Sequence, residues 1–349
     1  MSFRRSVLVL GVLSVASLSV FVAACKPAQT ALVSYWPKAD SERVVPKPAE
    51  PPGWPLTGLA AASEAETQLR VVSIKIENSP EARPQTNLQK ADVVYESVTE
   101  GGITRFNAIF HSQNPDEVGP VRSARLSDLF IVPQYHALFV FSGASSTVNG
   151  RINKSTIDNL SEDAGISYPF FRSNDRPRPH NLYLVLDKVR EEAKKRKMAT
   201  TATIKGFAFD RKAAEGTTTI TQISIPFSTA NKVSWAYDAA TKTYLRSNDG
   251  KIHKDAATGK QLSAKNVVVM WAKHNVASRD KVGSTTYEIV LTGTGKASIF
   301  RNGQRFDGTW TTDGKVPPAF KATDGTVIKL VPGNTWFQVV APSVNITMK

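Results

Sequence analysis

The chain holds a single cysteine, Cys25, at the end of an apolar run that closes in Val22-Ala23-Ala24. One cysteine excludes an intrachain disulfide. Whatever fold forms must be held by a buried core, and 349 residues are ample for one, at a length that commonly divides into two domains. The run itself, MSFRRSVLVLGVLSVASLSVFVAAC, starts basic at Arg4 and Arg5 and is apolar in its centre. That is the make-up of an export signal, and small residues before the cysteine give it the pattern of a bacterial lipobox. Residues 1–25 are therefore expected to be a lipoprotein signal peptide, with Cys25 the lipid-bearing first residue of the mature protein. A diacylglyceryl cysteine supplies two chains, enough for stable anchoring where one is marginal. An uncleaved transmembrane anchor is the alternative, and the run is barely long enough to span. The expected location is the extracytoplasmic side of the cell membrane.

Charge narrows the partners. The formal net charge is +14, and removal of Arg4 and Arg5 with the leader leaves +12. On an exported chain this points to anionic lipid headgroups, teichoic-type polymers or other phosphates. Nucleic acid is not expected: there is no zinc-finger spacing, no RNP-like strand and no long Lys/Arg tract. The plainer alternative is that the charge serves solubility.

Residues 26–67 read as a tether. Pro27, Pro37, Pro46, Pro48, Pro51, Pro52 and Pro55 remove backbone donors and favour extended chain. WPLTGL, residues 54–59, is too apolar for a linker and is expected to dock on the first domain. Residues 68–217 alternate strand-like runs (LRVVSIKIEN, ADVVYESVT, TRFNAIFHS, HALFVFSGAS) with helix-like ones (VRSARLSDLFIV, LDKVREEAKKRKMA). The expectation is an α/β N-terminal domain. Residues 218–349 carry short β-rich runs between turn signals, expected to form a smaller antiparallel all-β C-terminal domain. The join near 211–219 is polar and reads as a linker between units that fold separately.

Three segments carry candidate chemistry. In Gly119-Pro120-Val121-Arg122-Ser123-Ala124-Arg125 a helix starting at Pro120 would put Arg122 and Arg125 on one face. Guanidinium forks and free backbone N–H groups at a helix start both favour an anion. The alternative pairs each arginine with a carboxylate of the fold. YESVTEGGITRF supplies Glu96, Glu100 and Arg105, with Glu77 at the end of IKIEN; these acids are arginine partners, general bases or metal ligands. Pro179-His180-Asn181 supplies the histidine best placed for acid–base work or a phosphate contact. No P-loop, dinucleotide fingerprint, paired-histidine metal motif or Gly-x-Ser-x-Gly elbow is present.

The segments PLTGL, IKIENSPEARPQTNLQKADVVYE, EGGITRFNAIF, VGPVRSAR, SGAS, PHNLY, TGKQLSAKNVVVM, LTGTGKASIF and PGNTWFQVV together resemble the YerB-like bacterial lipoproteins, across most of residues 55–341. The resemblance implies an N-terminal α/β domain and a C-terminal β domain on a lipid anchor, in a family without an assigned reaction. In layout only, Asp92, GPVRSAR and Ser142-Gly143-Ala144 also follow the order seen in LytR-CpsA-Psr phosphotransferases, although the turn here reads Pro-Val-Arg-Ser where that family has Pro-Arg-Asp.

The leading expectation is a membrane-anchored protein whose first domain binds an anionic, phosphate-bearing envelope polymer or lipid precursor through Arg105, Arg122 and Arg125, with His180 and Asn181 at the rim. A second is an enzyme of phosphoryl transfer or hydrolysis, with Glu96, Glu100 and His180 catalytic and Asp92, Glu96 and Glu100 holding Mg²⁺ or Mn²⁺. A third is a scaffold that presents the β domain to an envelope protein. Cys25→Ala is expected to release the protein from the membrane fraction or to leave its leader uncleaved. Metabolic labelling with a lipid precursor checks this, and normal labelling of the variant would rule out the lipobox.

Overall fold

A computed structural model describes residues 51–211, 218–279, 283 and 285–349. The leader, Cys25, residues 26–50 of the expected tether and the core of the expected linker, 212–217, lie outside the described residues. The rest of the tether is folded. Leu56 is fully buried, the Trp54 ring meets His111 edge-on at 4.9 Å, and Ser63 caps a short helix, α1 (Glu64–Thr67).

The first half supplies strands β1 (Val72–Glu77), β2 (Val93–Val98), β3 (Thr104–Phe110), β4 (Leu138–Phe141) and β5 (Asn159–Ser161), then a hairpin of β6 (Phe170–Arg172) and β7 (Leu182–Leu184). Its helices are α2 (Asp128–Gln134), α3 (Ser146–Asn153) and α4 (Leu186–Lys195). The second half is strand-rich: β8 (Thr218–Thr219), β9 (Gln222–Ser228), β10 (Asn231–Asp238), β11 (Thr243–Asn248), β12 (Lys251–Ile252), β13 (Ser263–Ala264) and β14 (Asn266–Trp271). It continues with β15 (Lys273–Arg279), β16 (Thr285–Val290), β17 (Gly293–Arg301), β18 (Gln304–Thr312), β19 (Ala319–Lys321), β20 (Thr335–Val340) and β21 (Thr347–Met348).

One sheet runs through both halves, in the order β19-β18-β17-β14-β20-β2-β3-β1-β4-β5, with β8 on β18. A second sheet, β12-β11-β10-β9-β21 with β13 on β11, packs over it. β1, β3 and β20 are buried at every position, as strands covered on both faces must be. Their alternating side chains feed two apolar clusters. Ile74, Ile76, Val94 and Phe106 face Ile223, Trp235 and Tyr244 of the second sheet. Val93, Tyr95 and Ile109 face the opposite way, toward Ile131 and Tyr135 of the α2 region.

Two expectations change. The N-terminal region is a mixed sheet with few helices, not an α/β layer structure. The helix expected from Pro120 begins only at Asp128. The residues between form an extended strap, because their backbone groups are taken by strands. Glu77 N donates to Pro120 O, Val121 N to Leu182 O, Arg122 N to Lys75 O, and Ser142 N to Arg122 O. Gly119 is required there, since a Cβ would lie 2.5 Å from the Tyr183 ring. The C-terminal region is largely antiparallel as expected, but β14 and β20 pair in parallel, and β20 pairs in parallel with β2.

A buried ion pair also crosses between the halves. Glu96 on β2 and Arg246 on β11 are both fully buried, with Arg246 Nη2 2.9 Å from Glu96 Oε1. The guanidinium carbon lies 5.1 Å from the Trp336 ring centre and 5.5 Å from those of Phe106 and Trp235, a cation–π enclosure. Removing one partner of such a pair leaves a buried charge uncompensated, at a cost of about 3–5 kcal/mol. Glu96→Ala is therefore expected to lower stability by that amount in denaturant unfolding. Glu96→Leu combined with Arg246→Met is expected to cost much less than the two single changes added together. Additive losses would show that the pair is not coupled.

Candidate functional site

Strands β1, β2, β4, β5, β14 and β20 all point one way, with β3 and β17 antiparallel among them. Loops at the carboxyl ends of same-direction strands are where sites assemble in such sheets. The register then selects the side chains. Glu77 lies opposite Arg105 on the β1–β3 ladder, and Lys75 lies opposite Asn107. Period-2 alternation puts these four on one face of the sheet, beneath the Pro120–Ser127 strap.

The lower layer is closed. Lys75 Nζ donates to Asp128 Oδ1 at 2.8 Å, Asn107 Nδ2 donates to the same oxygen at 3.0 Å, and Asp128 Oδ2 accepts Arg125 N at 2.7 Å. Burial lowers the pKa of Lys75; Asp128 opposes that, while Arg125 and Arg105 add to it.

The upper layer is less complete. Arg125 Nε donates to Glu100 Oε2 at 2.7 Å, and Thr286 Oγ1 donates to Oε1 at 3.2 Å. Burial pushes the Glu100 carboxyl up, but Arg125 and other partners outweigh it and hold it below the usual range. Arg122 Nε lies 3.3 Å from Glu77 Oε1 without the alignment of a hydrogen bond, and His180 Nδ1 lies 3.1 Å from the same oxygen. Ser79 Oγ donates to it at 3.2 Å. Arg105 is buried, being 7 % exposed, and among the described residues it donates from Nη1 to Ser123 O at 3.3 Å. Burial, then Arg125, pull Arg105 down to about 9, so it remains charged at neutral pH. Arg105 Nε, Arg122 Nε and Glu77 Oε2 are all buried without a hydrogen-bond partner among the described residues. Lys75, Arg105, Arg122 and Arg125 stand against Glu77, Glu100 and Asp128, an excess of one positive charge.

The other expected residues sit elsewhere. Glu96 projects from the opposite face of β2 and is held by Arg246 and by Thr104 Oγ1 at 2.7 Å. Asp92 is at the far end of the same strand, where it accepts His111 N at 2.6 Å and Ser112 N at 2.8 Å; burial pushes its carboxyl up to about 6. The three acids expected to hold a metal are thus in three places, and no group of three His, Cys, Asp or Glu side chains gathers among the described residues. Asn181 is a loop staple: its Oδ1 accepts Arg172 Nη1 at 3.1 Å and its Nδ2 donates to Ser173 O at 2.7 Å. Arg172 in turn pairs with Glu162 at 2.8 Å, which accepts Ser142 Oγ at 3.3 Å. In this loop Gly143 has φ +69°, a left-handed conformation that residues with a Cβ rarely adopt.

The sequence groups Glu77 only loosely with the other acids and does not single out Ser79. The signal available is the alternation of IKIE against TRFN, which sets Glu77 and Arg105 on one face once the strands are paired in register. Beside Glu100, a cavity of about 560 Å³ opens at the ends of β2 and β20, lined in part by Thr99, Gly102, Ser228, His274, Tyr287 and Ser343.

Residues 56–199 match the N-terminal domain, and 223–337 the C-terminal domain, of the protein family of unknown function DUF3048. The chain belongs to this family. It is 31% identical over 303 residues to "Putative lipoprotein YerB" of Bacillus subtilis (strain 168), covering 85% of this chain and 88% of that protein. The crystal structure of YerB protein from Bacillus subtilis superposes with a TM-score of 0.76, at 31% identity, over 85% of this chain and 99% of that one. The family's two-domain division is therefore present here, with strands of both domains in one sheet.

The Glu100–Arg125 pair gives a pH test. The carboxyl of Glu100 is depressed in the folded state, so its contribution is present above the ordinary carboxylate value of 4.5 and is lost as pH falls through the lower folded value. Glu100→Gln is expected to be less stable than the parent at pH 7 and to converge with it toward pH 3. Denaturant unfolding at both pH values checks this; an equal gap at both would remove the pair from the acid response.

Proposed function

We propose that this DUF3048 protein is a lipid-anchored extracytoplasmic protein that binds an anionic, phosphate-bearing envelope ligand at the Arg105–Arg122–Arg125 edge. One observation carries the reading: two buried guanidinium Nε groups, on Arg105 and Arg122, have no hydrogen-bond partner among the described residues, in a cluster with one positive charge in excess. Buried donors in native proteins are nearly always paired, and an unpaired one calls for a role. An oxyanion would accept from both arginines and neutralise the excess. Arg125 is tied to Glu100, so it supplies field rather than a free fork. The 560 Å³ cavity near Glu100 is within the size range of small-molecule sites, but none of the three arginines lines it, so it carries no part of this reading. The name of the Bacillus relative, "Putative lipoprotein YerB", supports placing the chain on a membrane.

Calorimetric titration of the full-length chain in detergent with inorganic phosphate tests the site. Binding is expected, with a modest weakening in added salt, since buried charges are screened less than exposed ones. Arg122→Ala is expected to weaken it at least tenfold, since a charge-assisted hydrogen bond contributes about 1.5–3 kcal/mol. Arg122→Lys, which keeps the charge and loses the planar fork, should fall between the two. Arg105→Met is expected to lose binding while unfolding cooperatively. Phosphate affinity unchanged in all three variants would sink the reading.

A further inference from the structure

The two oxygens of Glu77 are in different circumstances. Oε1 is surrounded: Ser79 Oγ at 3.2 Å, His180 Nδ1 at 3.1 Å and Arg122 Nε at 3.3 Å. Oε2 is buried, on a residue only 2 % exposed, and has no hydrogen-bond partner among the described residues. Directly across the ladder stands Arg105, with its Nε unpartnered too. The same buried cluster therefore presents unpaired donors and one unpaired acceptor. An acceptor is out of place in a site for a fully deprotonated oxyanion, because a carboxylate at contact distance repels it. It is well placed for an oxyanion that still carries a proton.

Resting on the anion-site reading given above, we infer that Glu77 selects the chemical class of the ligand: the site takes a terminal phosphate, as a monoester or free, and rejects sulfate and phosphodiesters. A phosphate monoester has its second pKa at about 6. Near neutrality it can hold one proton on an oxygen and donate it to Glu77 Oε2, while its other oxygens accept from Arg105 and Arg122. Sulfate and a phosphodiester have no such proton and would set a bare oxygen against the carboxylate. Ser79 and His180 are positioning residues in this arrangement. They occupy Oε1 and leave Oε2 as the acceptor that faces the ligand. The envelope ligand is then a precursor ending in a phosphate monoester, rather than the diester-linked backbone of a teichoic-type polymer.

The test compares five probes by calorimetry on the full-length chain in detergent at pH 7: inorganic phosphate, glucose 1-phosphate, a short-chain phosphatidic acid, sulfate and dimethyl phosphate. Inorganic phosphate and at least one monoester are expected to bind at least about tenfold more tightly than sulfate and dimethyl phosphate, the effect of one charge-assisted hydrogen bond. Tighter binding of the sugar phosphate supports the proposal with a soluble or glycan source, and tighter binding of phosphatidic acid supports it with a lipid source. Glu77→Gln, whose amide can donate, is expected to bring sulfate to within about threefold of phosphate. Should that variant not fold, the parent's ranking of phosphate against sulfate and dimethyl phosphate decides alone. Sulfate bound by the parent as tightly as phosphate overturns this selectivity and leaves the anion site standing. Binding of none of the five overturns the anion site itself.

Discussion

The structure depends on one pairing, that of β20 with β2. β20 lies between β14 and β2, parallel to both, and buries all of its residues, Trp336 and Phe337 among them. Parallel neighbours cannot be joined by a tight turn, so the chain between them must be completed before the ladder can close. Here that intervening chain includes every strand of the second sheet except β21. Closure places the carboxyl ends of β1, β2 and β20 along one edge. The Glu77 cluster and the cavity beside Glu100 lie on that edge because the strands that carry them share a direction, not because their residues are near in sequence. The same pairing argues against treating the second half as a unit that stands without the first. Without β2, the buried β20 would become a sheet edge with an unpaired row of backbone groups.

Alternation within β1 and β3 then separates structure from chemistry. On one face, Ile74, Ile76 and Phe106 pack against the second sheet. On the other, Lys75, Glu77, Arg105 and Asn107 form a polar layer under the strap. A shift of one residue would exchange the two faces, so the apolar cluster fixes the register that assembles the charges. Glu96 obeys the same rule. It lies on the apolar face of β2, and its charge is tolerated there because Arg246, Thr104 and Asn78 reach it.

Much of this is legible in the chain and some is not. The strand runs are readable because apolar residues recur with period 2, and Leu186–Lys195 is readable as an amphipathic helix. The docking of WPLTGL follows from its apolar content, which the burial of Leu56 bears out. The strap reads as a helix because Pro120 and the i, i+3 arginines carry helical signals. What decides its extended form is the supply of partners from Lys75, Leu182 and Ser142, which local sequence does not encode. Glu96 and Glu100 share one short segment and are expected to serve as ligands of one metal; a strand followed by a turn sends them to opposite sides. Arg246 gives no signal, since its partner is 150 residues away.

The charge count bears on whether the polar edge is only a scaffold. The Lys75–Asp128–Asn107 layer illustrates how this fold closes a buried polar group: one acid, one cation and an amide, each bonded. The layer above it departs from that pattern on the same face of the sheet. Three guanidinium groups meet two carboxylates, two Nε donors and one carboxylate oxygen go without a hydrogen bond among the described residues, and Ser79 and His180 crowd a single oxygen of Glu77. A network serving stability alone would be better replaced by apolar packing, because a half-satisfied polar cluster is worse than none. Buried polar atoms also go without a hydrogen bond elsewhere among the described residues, on Asn231, Arg246 and Arg301 for example, but here unpaired donors and an unpaired acceptor meet on paired strands, and such a local conflict marks a site kept for a ligand. Here the disagreement has a sign and a geometry: excess positive charge, donors on two arginines, and one acceptor facing them.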